Sequence, residues 1–246
     1  MRYFNKKKRH ALISYLIKEL KEGNSVTILI VGKTNSGKSW TALTICEWFC
    51  NFWGKTFKPS ESVFIDFKKF IINFFDSEKK PFVIDEAKKY LDKKRWWEDF
   101  AKDFGDLLAT QRYRQNLYII ILPLAKTLVT DSRDMIDVII EMKRPAIASV
   151  YLIKKRWSEI QHFELWKFYI GDMIIKKPSE RVIKEYQAIE RPNKEEVYYD
   201  ILGRVIKFRR CPCGKKIKFL EKECPSCGER LDKESIYILL KKYVKR

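Results

Sequence analysis

The sequence predicts an α/β domain built on a mainly parallel sheet, followed by a small cysteine-bearing segment. Three observations predict it. Short continuous apolar runs alternate with stretches of helical periodicity along most of the chain, as strands buried on both faces alternate with crossover helices. One of these runs leads through a glycine-bearing turn into a helix, the order in which phosphate-binding loops are built. Four of the six cysteines fall in one short stretch near the end, punctuated by glycine and proline.

At roughly 150 residues per domain, 246 residues accommodate one large domain plus something small. Hydrophobic residues make up 46% and aromatics 14%, enough for a sizeable core, which excludes a disordered or collagen-like chain. Charge says more. Fifty-one basic residues against 32 acidic ones give a formal charge of +19. Such an excess predicts a polyanionic partner, nucleic acid first and an anionic membrane surface second; a merely lysine-coated surface is the plain alternative. No run approaches the ~20 apolar residues of a membrane span. The longest candidate, 117–125, is short and contains Pro123. The basic stretch from Met1 to Arg9 is followed by no apolar signal-peptide core, so a cytosolic location is expected.

Taken in order, residues 6–21 have helical periodicity, with Leu12, Ile13, Leu16, Ile17 and Leu20 on one face and Gly23-Asn24 as the stop. The apolar run 26–31 has the length of a buried strand, and 39–53 reads as the next helix. Strands are expected at 62–67, 82–85, 117–122 and 138–142. Beyond Pro145 the pattern changes: 149–154 and 163–170 alternate like a hairpin closing the domain. A helix at 180–189, a linker at Arg191-Pro192-Asn193, the cysteine stretch 210–230 and a last short helix at 233–244 complete the chain. The expected organisation is a domain over 1–190, a linker over 191–209 and a small segment over 210–246.

Gly32-Lys33-Thr34-Asn35-Ser36-Gly37-Lys38-Ser39 matches G-x-x-x-x-G-K-[ST], a pattern that arises by chance in roughly one chain of this length in a hundred. The glycines let the backbone curl so that its N–H groups face phosphates at a helix N-terminus. Lys38 can reach the β- and γ-phosphates of ATP, and the Ser39 hydroxyl can ligate Mg²⁺. Trp40, the next residue, completes the expected nucleotide site. Pro81-Phe82-Val83-Ile84 then ends in Asp85-Glu86, and the carboxyl end of a parallel strand opens onto the ligand crevice. Asp85 is expected to hold Mg²⁺ through water, and Glu86 to polarise an attacking water. The competing reading is a helix-initiating acidic pair. Arg112 and Arg114 precede the 117–122 strand. Either could stabilise a γ-phosphate transition state from a neighbouring subunit, Arg112 first, or lie on a basic surface.

Together, the 32–39 loop, Asp85-Glu86 and an arginine-bearing segment entering an apolar strand resemble the HerA/FtsK-like P-loop ATPases. Within these the chain is most similar to zonular-occludens-toxin-type and archaeal virus or plasmid ATPases. The run from Asp85 to Trp97, and Asp131-Ser132-Arg133 with Asp137, carry that narrower likeness, which covers roughly 6–186. The resemblance implies a RecA-like sheet, a homo-oligomeric ring, usually a hexamer, with ATP sites between subunits, and ATP-driven movement of double-stranded DNA. One departure is that Leu122-Pro123-Leu124 ends the fourth strand where the family often has a polar sensor; Gln111 lies earlier.

Cys211-Pro212-Cys213-Gly214 and Cys224-Pro225-Ser226-Cys227-Gly228 form two turns whose thiolates suit tetrahedral Zn²⁺, as in a zinc ribbon. Disulfides are the alternative. The first turn is C-x-C, where C-x-x-C is usual, which makes Cys211 the least typical ligand. Such a ribbon suits DNA or a protein partner. Cys46 and Cys50, spaced i, i+4, fit a buried helix face, and Trp96-Trp97 beside Lys93, Lys94 and Arg95 could stack on bases or line an interface. A nucleotide-gated adaptor with slow turnover is the main alternative to the motor. A small-molecule phosphotransferase fits less well, because of Glu86 and the charge.

Overall fold

The computed structural model describes residues 11–64, 70, 73–74, 77–85, 112–123, 136–157, 163–205, 208–211, 213–218, 221 and 223–230. The chain divides into two compact units, 1–188 and 189–246.

The first unit is α/β. Helix α1 (Ala11–Lys21) leads to β1 (Val26–Val31), the turn 32–37 and helix α2 (Lys38–Phe52). One helical turn, α3 (Pro59–Ser62), precedes β2 (Val63–Phe64), and β3 (Pro81–Ile84) and β4 (Leu117–Leu122) follow. The unit then adds β5 (Val138–Arg144), β6 (Ile147–Trp157) and β7 (Phe163–Ile174) before helix α4 (Glu180–Val205). The seven strands form one sheet in the order β2-β3-β4-β1-β5-β6-β7. The first five are parallel, and β6 and β7 join antiparallel. The mainly parallel sheet expected from the alternation is present, and the late hairpin is part of the same sheet.

Side chains alternate along each strand, so one sheet feeds two cores. On one face Val26, Ile28, Ile30, Ile119 and Ile140 pack with Leu12, Leu16 and Leu20 of α1, Leu43 and Phe49 of α2, and Val182 and Tyr186 of α4. On the other, Leu29, Val31, Ile120 and Leu122 pack with an aromatic cluster. Its rings stack in series: Phe64 on Phe82 at 5.9 Å and Phe82 on Tyr118 at 5.6 Å, with Phe70 and Phe74 against them. Burial on both faces is what made these strands read as unbroken apolar runs.

The amino ends of three neighbouring strands, β3, β4 and β1, are tied to one residue. Asn116, with no exposed surface, donates its backbone N–H to Ser25 Oγ (3.0 Å), and its carbonyl accepts Val26 N–H (3.0 Å). Its Oδ1 accepts Lys80 N–H at 3.0 Å. Its Nδ2 donates to Ser77 O at 3.0 Å and to Tyr118 Oη at 3.1 Å. The register Val26↔Leu117↔Pro81 therefore starts from a single buried amide.

Two differences from the sequence reading have local causes. The β5–β6 connection turns at Pro145-Ala146, with Ala146 at φ 66°, a left-handed position without the usual glycine or asparagine. The expected linker is helical: α4 runs through Arg191-Pro192-Asn193 to Val205. Pro192 forfeits one helical bond, toward the carbonyl of Ala188, and the unit boundary falls at that residue. Glu190, Lys194, Glu195 and Glu196 around it are good helix formers.

The second unit contains a two-stranded antiparallel ribbon, β8 (Phe208–Arg210) with β9 (Lys216–Lys218), that carries the cysteine turns. The expected last helix at 233–244 lies outside the described residues. Among the described residues, no helix is long and apolar enough to cross a membrane.

Asn116→Ala removes the side-chain hydrogen bonds to Ser77 and Tyr118 and leaves Lys80 N–H without its acceptor. At ~1 kcal/mol per bond it should lower the free energy of unfolding in urea by about 2–4 kcal/mol. A loss below ~0.5 kcal/mol would show that the amide does not set the register.

Candidate phosphate loop and metal centre

Strand β1 delivers Gly32 to the carboxyl edge of the sheet, and the next five residues turn the chain into α2. The conformation needs special residues at few positions. Gly37, preceding the helix, has φ 90°, and Asn35 has φ 62°. At Gly32 (φ 155°) space decides: an added Cβ would lie 2.8 Å from both Met142 Cβ and Ser36 Oγ. Met142 of β5 and Pro145 of the following turn form the floor of the loop, and neither stood out in the sequence because the contact is between distant segments. The Thr41 hydroxyl, donating to Gly37 O at 2.9 Å, also touches Met142 Sδ at 3.3 Å.

The side chains of the loop take distinct positions. Lys33, Thr34 and Asn35 are exposed. Ser36 is buried, and its hydroxyl has no hydrogen-bond partner among the described residues. Lys38 arches back over the loop: its Nζ donates to Gly32 O at 2.9 Å and Lys33 O at 2.7 Å. Ser39 is half-buried, and Trp40 is exposed with the Lys177 ammonium 5.1 Å from its ring centre. No side chain caps the N-terminus of α2, so the helix dipole and its first N–H groups face the loop. A buried orphan hydroxyl, a backbone too close-packed for a Cβ, an uncapped helix start and a poised ammonium together fit a bound phosphate.

Asp85 follows β3 on the same edge. The register Ile84↔Ile120↔Leu29 puts it level with Ile30, two residues before Gly32. Strand β4 lies between β3 and β1, so acid and loop are two strand spacings apart, roughly 10 Å. Asp85 is only 5% exposed and its N–H donates to Phe64 O at 3.1 Å. Its Oδ2 accepts a 2.6 Å hydrogen bond from the Tyr186 hydroxyl. Burial pulls Lys38 below the ordinary lysine value, and the charge of Asp85 opposes that pull. The structure thus brings Lys38 and Asp85 within electrostatic reach and adds Tyr186, which nothing in the sequence singled out.

Other expected site residues fall outside the described residues or away from the loop. Glu86, Trp96, Trp97, Gln111, Asp131 and Arg133 are outside the described residues, as is the side chain of Arg112. Arg112 and Arg114 belong to a single 3₁₀ turn just before β4, at the amino edge of the sheet. Arg114 O accepts Lys79 N–H at 3.0 Å there. Six residues of β4 separate that edge from the loop, about 20 Å, so neither arginine is brought to the loop of its own chain. Asp137, of the Asp131–Asp137 group, bonds β1 through Oδ2, which accepts Thr27 N–H at 2.8 Å.

The second centre is in the ribbon. Gly214 (φ 87°) and Gly228 (φ 69°) turn the two cysteine loops. Gly214 N–H donates to Cys211 O at 2.8 Å, and Gly228 N–H to Cys224 O at 2.9 Å. Sulfurs of Cys211 and Cys227 are 3.6 Å apart and those of Cys213 and Cys224 3.7 Å, and all four lie within 4.8 Å of one another. Tetrahedral Zn²⁺ with ~2.3 Å Zn–S bonds has an S···S edge of about 3.8 Å. The four thiols are free cysteines, and the set could hold a metal such as zinc, Cys211 included. Among the four thiols the amides of Ser226 and Cys227, with the neighbouring sulfurs, hold Cys224 down at about 6. Burial and bonds to the other thiols push Cys211 up to about 12 and Cys227 above its usual value, so without a metal the negative charge falls on Cys224. Cys46 and Cys50 belong to the core, where burial pushes Cys46 well above the usual thiol value and Cys50 up to about 11.

Gly32→Ala should cost about 1–3 kcal/mol in urea unfolding, as over-packing against a Cβ that cannot swing away; a neutral result would show that the loop has room. The purified chain should carry about one zinc by elemental analysis, and Cys211→Ser should release it as fully as Cys224→Ser does. Full retention of metal by Cys211→Ser would remove Cys211 from the ligand set. Comparison with family models, curated proteins and solved structures finds no match for this chain, so the reading of both centres rests on their own geometry.

Proposed function

We propose that the chain is a P-loop ATPase with a RecA-like sheet that moves double-stranded DNA. The observation that carries this reading is the pairing of Lys38 and Asp85 on one sheet edge, with β4 between their strands. The roughly 10 Å gap leaves room for a triphosphate tail and a water-activating group beside it. In this reading the loop amides and Lys38 bind the phosphates, while the Ser39 hydroxyl and the Asp85 carboxylate hold Mg²⁺. The ion supplies charge neutralisation to the β- and γ-phosphate oxygens. Glu86, next to Asp85 in sequence, polarises the attacking water.

Arg112 or Arg114 completes the site from a neighbouring subunit. Their turn at the amino edge, about 20 Å from their own loop, supports action in trans. A homo-oligomeric ring, with six subunits as the expected number, satisfies that geometry by repeating one interface. The +19 charge supports a grip on the DNA backbone, where affinity comes from phosphate contacts and falls with salt. The four-cysteine unit, with zinc bound, offers a separate surface for DNA or a protein partner.

ATP hydrolysis measured with and without double-stranded DNA, over a salt series, tests this. DNA should stimulate turnover several-fold, and the stimulation should fade as salt rises. Lys38→Ala should abolish turnover, and Glu86→Gln should bind ATP while hydrolysing it at least ~100-fold more slowly. Slow turnover indifferent to DNA would replace the motor with a nucleotide-gated adaptor. Phosphate transfer to a small acceptor would replace both.

A further inference from the structure

Asp85 shares its buried position with a second polar group. The 2.6 Å hydrogen bond from the Tyr186 hydroxyl joins residues 101 apart in sequence, and Tyr186 itself is 4% exposed. A phenol donating to a carboxylate at this distance is a charge-assisted bond, roughly twice as strong as a neutral one. The donor is neutral. It therefore fixes the orientation of the carboxylate without cancelling the charge that a divalent cation requires, as a lysine or arginine in its place would do.

The element that carries Tyr186 is braced where this bond needs it. Thr44 Oγ1 of α2 donates to Lys176 O at 2.8 Å. Ser179 N–H donates to the buried Glu47 carboxylate of α2 at 3.1 Å. Arg181 Nη2 donates to Phe57 O at 2.7 Å, and Ser60 of α3 donates to Glu185 Oε1 through its N–H (3.2 Å) and its hydroxyl (2.7 Å). Val182 and Tyr186 enter the core between these ties. The same helix α2 that starts at Lys38 thus holds the start of α4, and α4 returns a hydroxyl to Asp85. Loop, helix, helix and acid form a closed mechanical circuit, the kind of support that keeps a ligand group within about 0.5 Å of its working geometry.

We propose that Tyr186 is the positioning residue for Asp85: it holds the carboxylate in the one orientation that serves Mg²⁺ with nucleotide. This inference rests on the reading of Asp85 as the acid that holds Mg²⁺. A merely structural tyrosine would contribute to stability and leave metal dependence untouched. The two roles separate in Tyr186→Phe, which keeps the ring and its packing and removes only the hydroxyl.

The experiment is binding of a fluorescent methylanthraniloyl ATP to the full chain across a Mg²⁺ titration, alongside an EDTA control and a melting curve. In wild type, Mg²⁺ should tighten binding, and Asp85→Asn should abolish that gain. Tyr186→Phe should bind as wild type does in EDTA but need about 3- to 10-fold more Mg²⁺ for half-maximal gain, because outer-shell partners of metal ligands typically carry effects of this order and above. A Tyr186→Phe titration that overlays wild type, with or without a lower melting temperature, overturns the positioning role while leaving Asp85 in place. A left-shifted titration also overturns it, since the hydroxyl would then compete with the metal. If wild type shows no Mg²⁺ gain, or Asp85→Asn retains it, the reading of Asp85 falls and takes this inference with it.

Discussion

One buried amide sets the level from which the centre of the sheet is measured. Asn116 meets the starts of β1, β3 and β4 at once, so the three strands leave the amino edge in line. Their carboxyl ends are then determined by length alone. Six residues of β1 reach Val31, and four of β3 reach Ile84. Because a one-residue slip would turn each side chain to the other face, the register also decides which core each strand feeds. The position of Asp85 below Gly32 is a downstream result of bonds made at the far edge.

The two sides of α2 have different tasks. One side, with Leu43, Cys46 and Phe49, lies in the main core. Its polar groups, Thr44 and Glu47, receive the chain as it enters α4. A buried carboxylate is costly unless its lone pairs are used, and Glu47 meets that demand with a backbone N–H at the start of another helix. The apolar stripe secures the helix to the sheet, while the polar groups determine where α4 begins. Neither could be inferred from composition, since Thr44 and Glu47 look like ordinary exposed helix residues until their partners, Lys176 and Ser179, are known.

What was legible in the sequence was whatever a local pattern can carry. Unbroken apolar runs marked β1 and β4 because both faces are covered. The glycine and lysine spacing marked the loop, and two cysteine pairs followed by glycine marked the ribbon. The C-x-C turn looked like the weaker half, yet Cys211 joins the cluster, because Gly214 supplies the left-handed turn that brings its sulfur round. What stayed hidden was long-range or broke a local rule. Met142 matters to Gly32 only through the pairing of β1 with β5. Ala146 turns a hairpin with no turn signature, and Pro192 sits inside a helix that its neighbours sustain. Strand order had no local signal: nothing in the composition of 81–84 or 117–122 says that β4 inserts beside β1.

In the proposed reading, the posture of Lys38 makes phosphate capture at the loop an exchange. Its ammonium is already engaged by the carbonyls of Gly32 and Lys33, so an arriving anion must displace two hydrogen bonds to gain its own. The free energy released is a difference between two bonded states, much smaller than the strength of either. Grip of this kind is moderate and readily reversed: when the anion departs, the loop carbonyls take the ammonium back, and no charge is left stranded in a half-buried site. Release would thereby be eased at the same atoms that perform the capture, as the proposed cycle of hydrolysis requires.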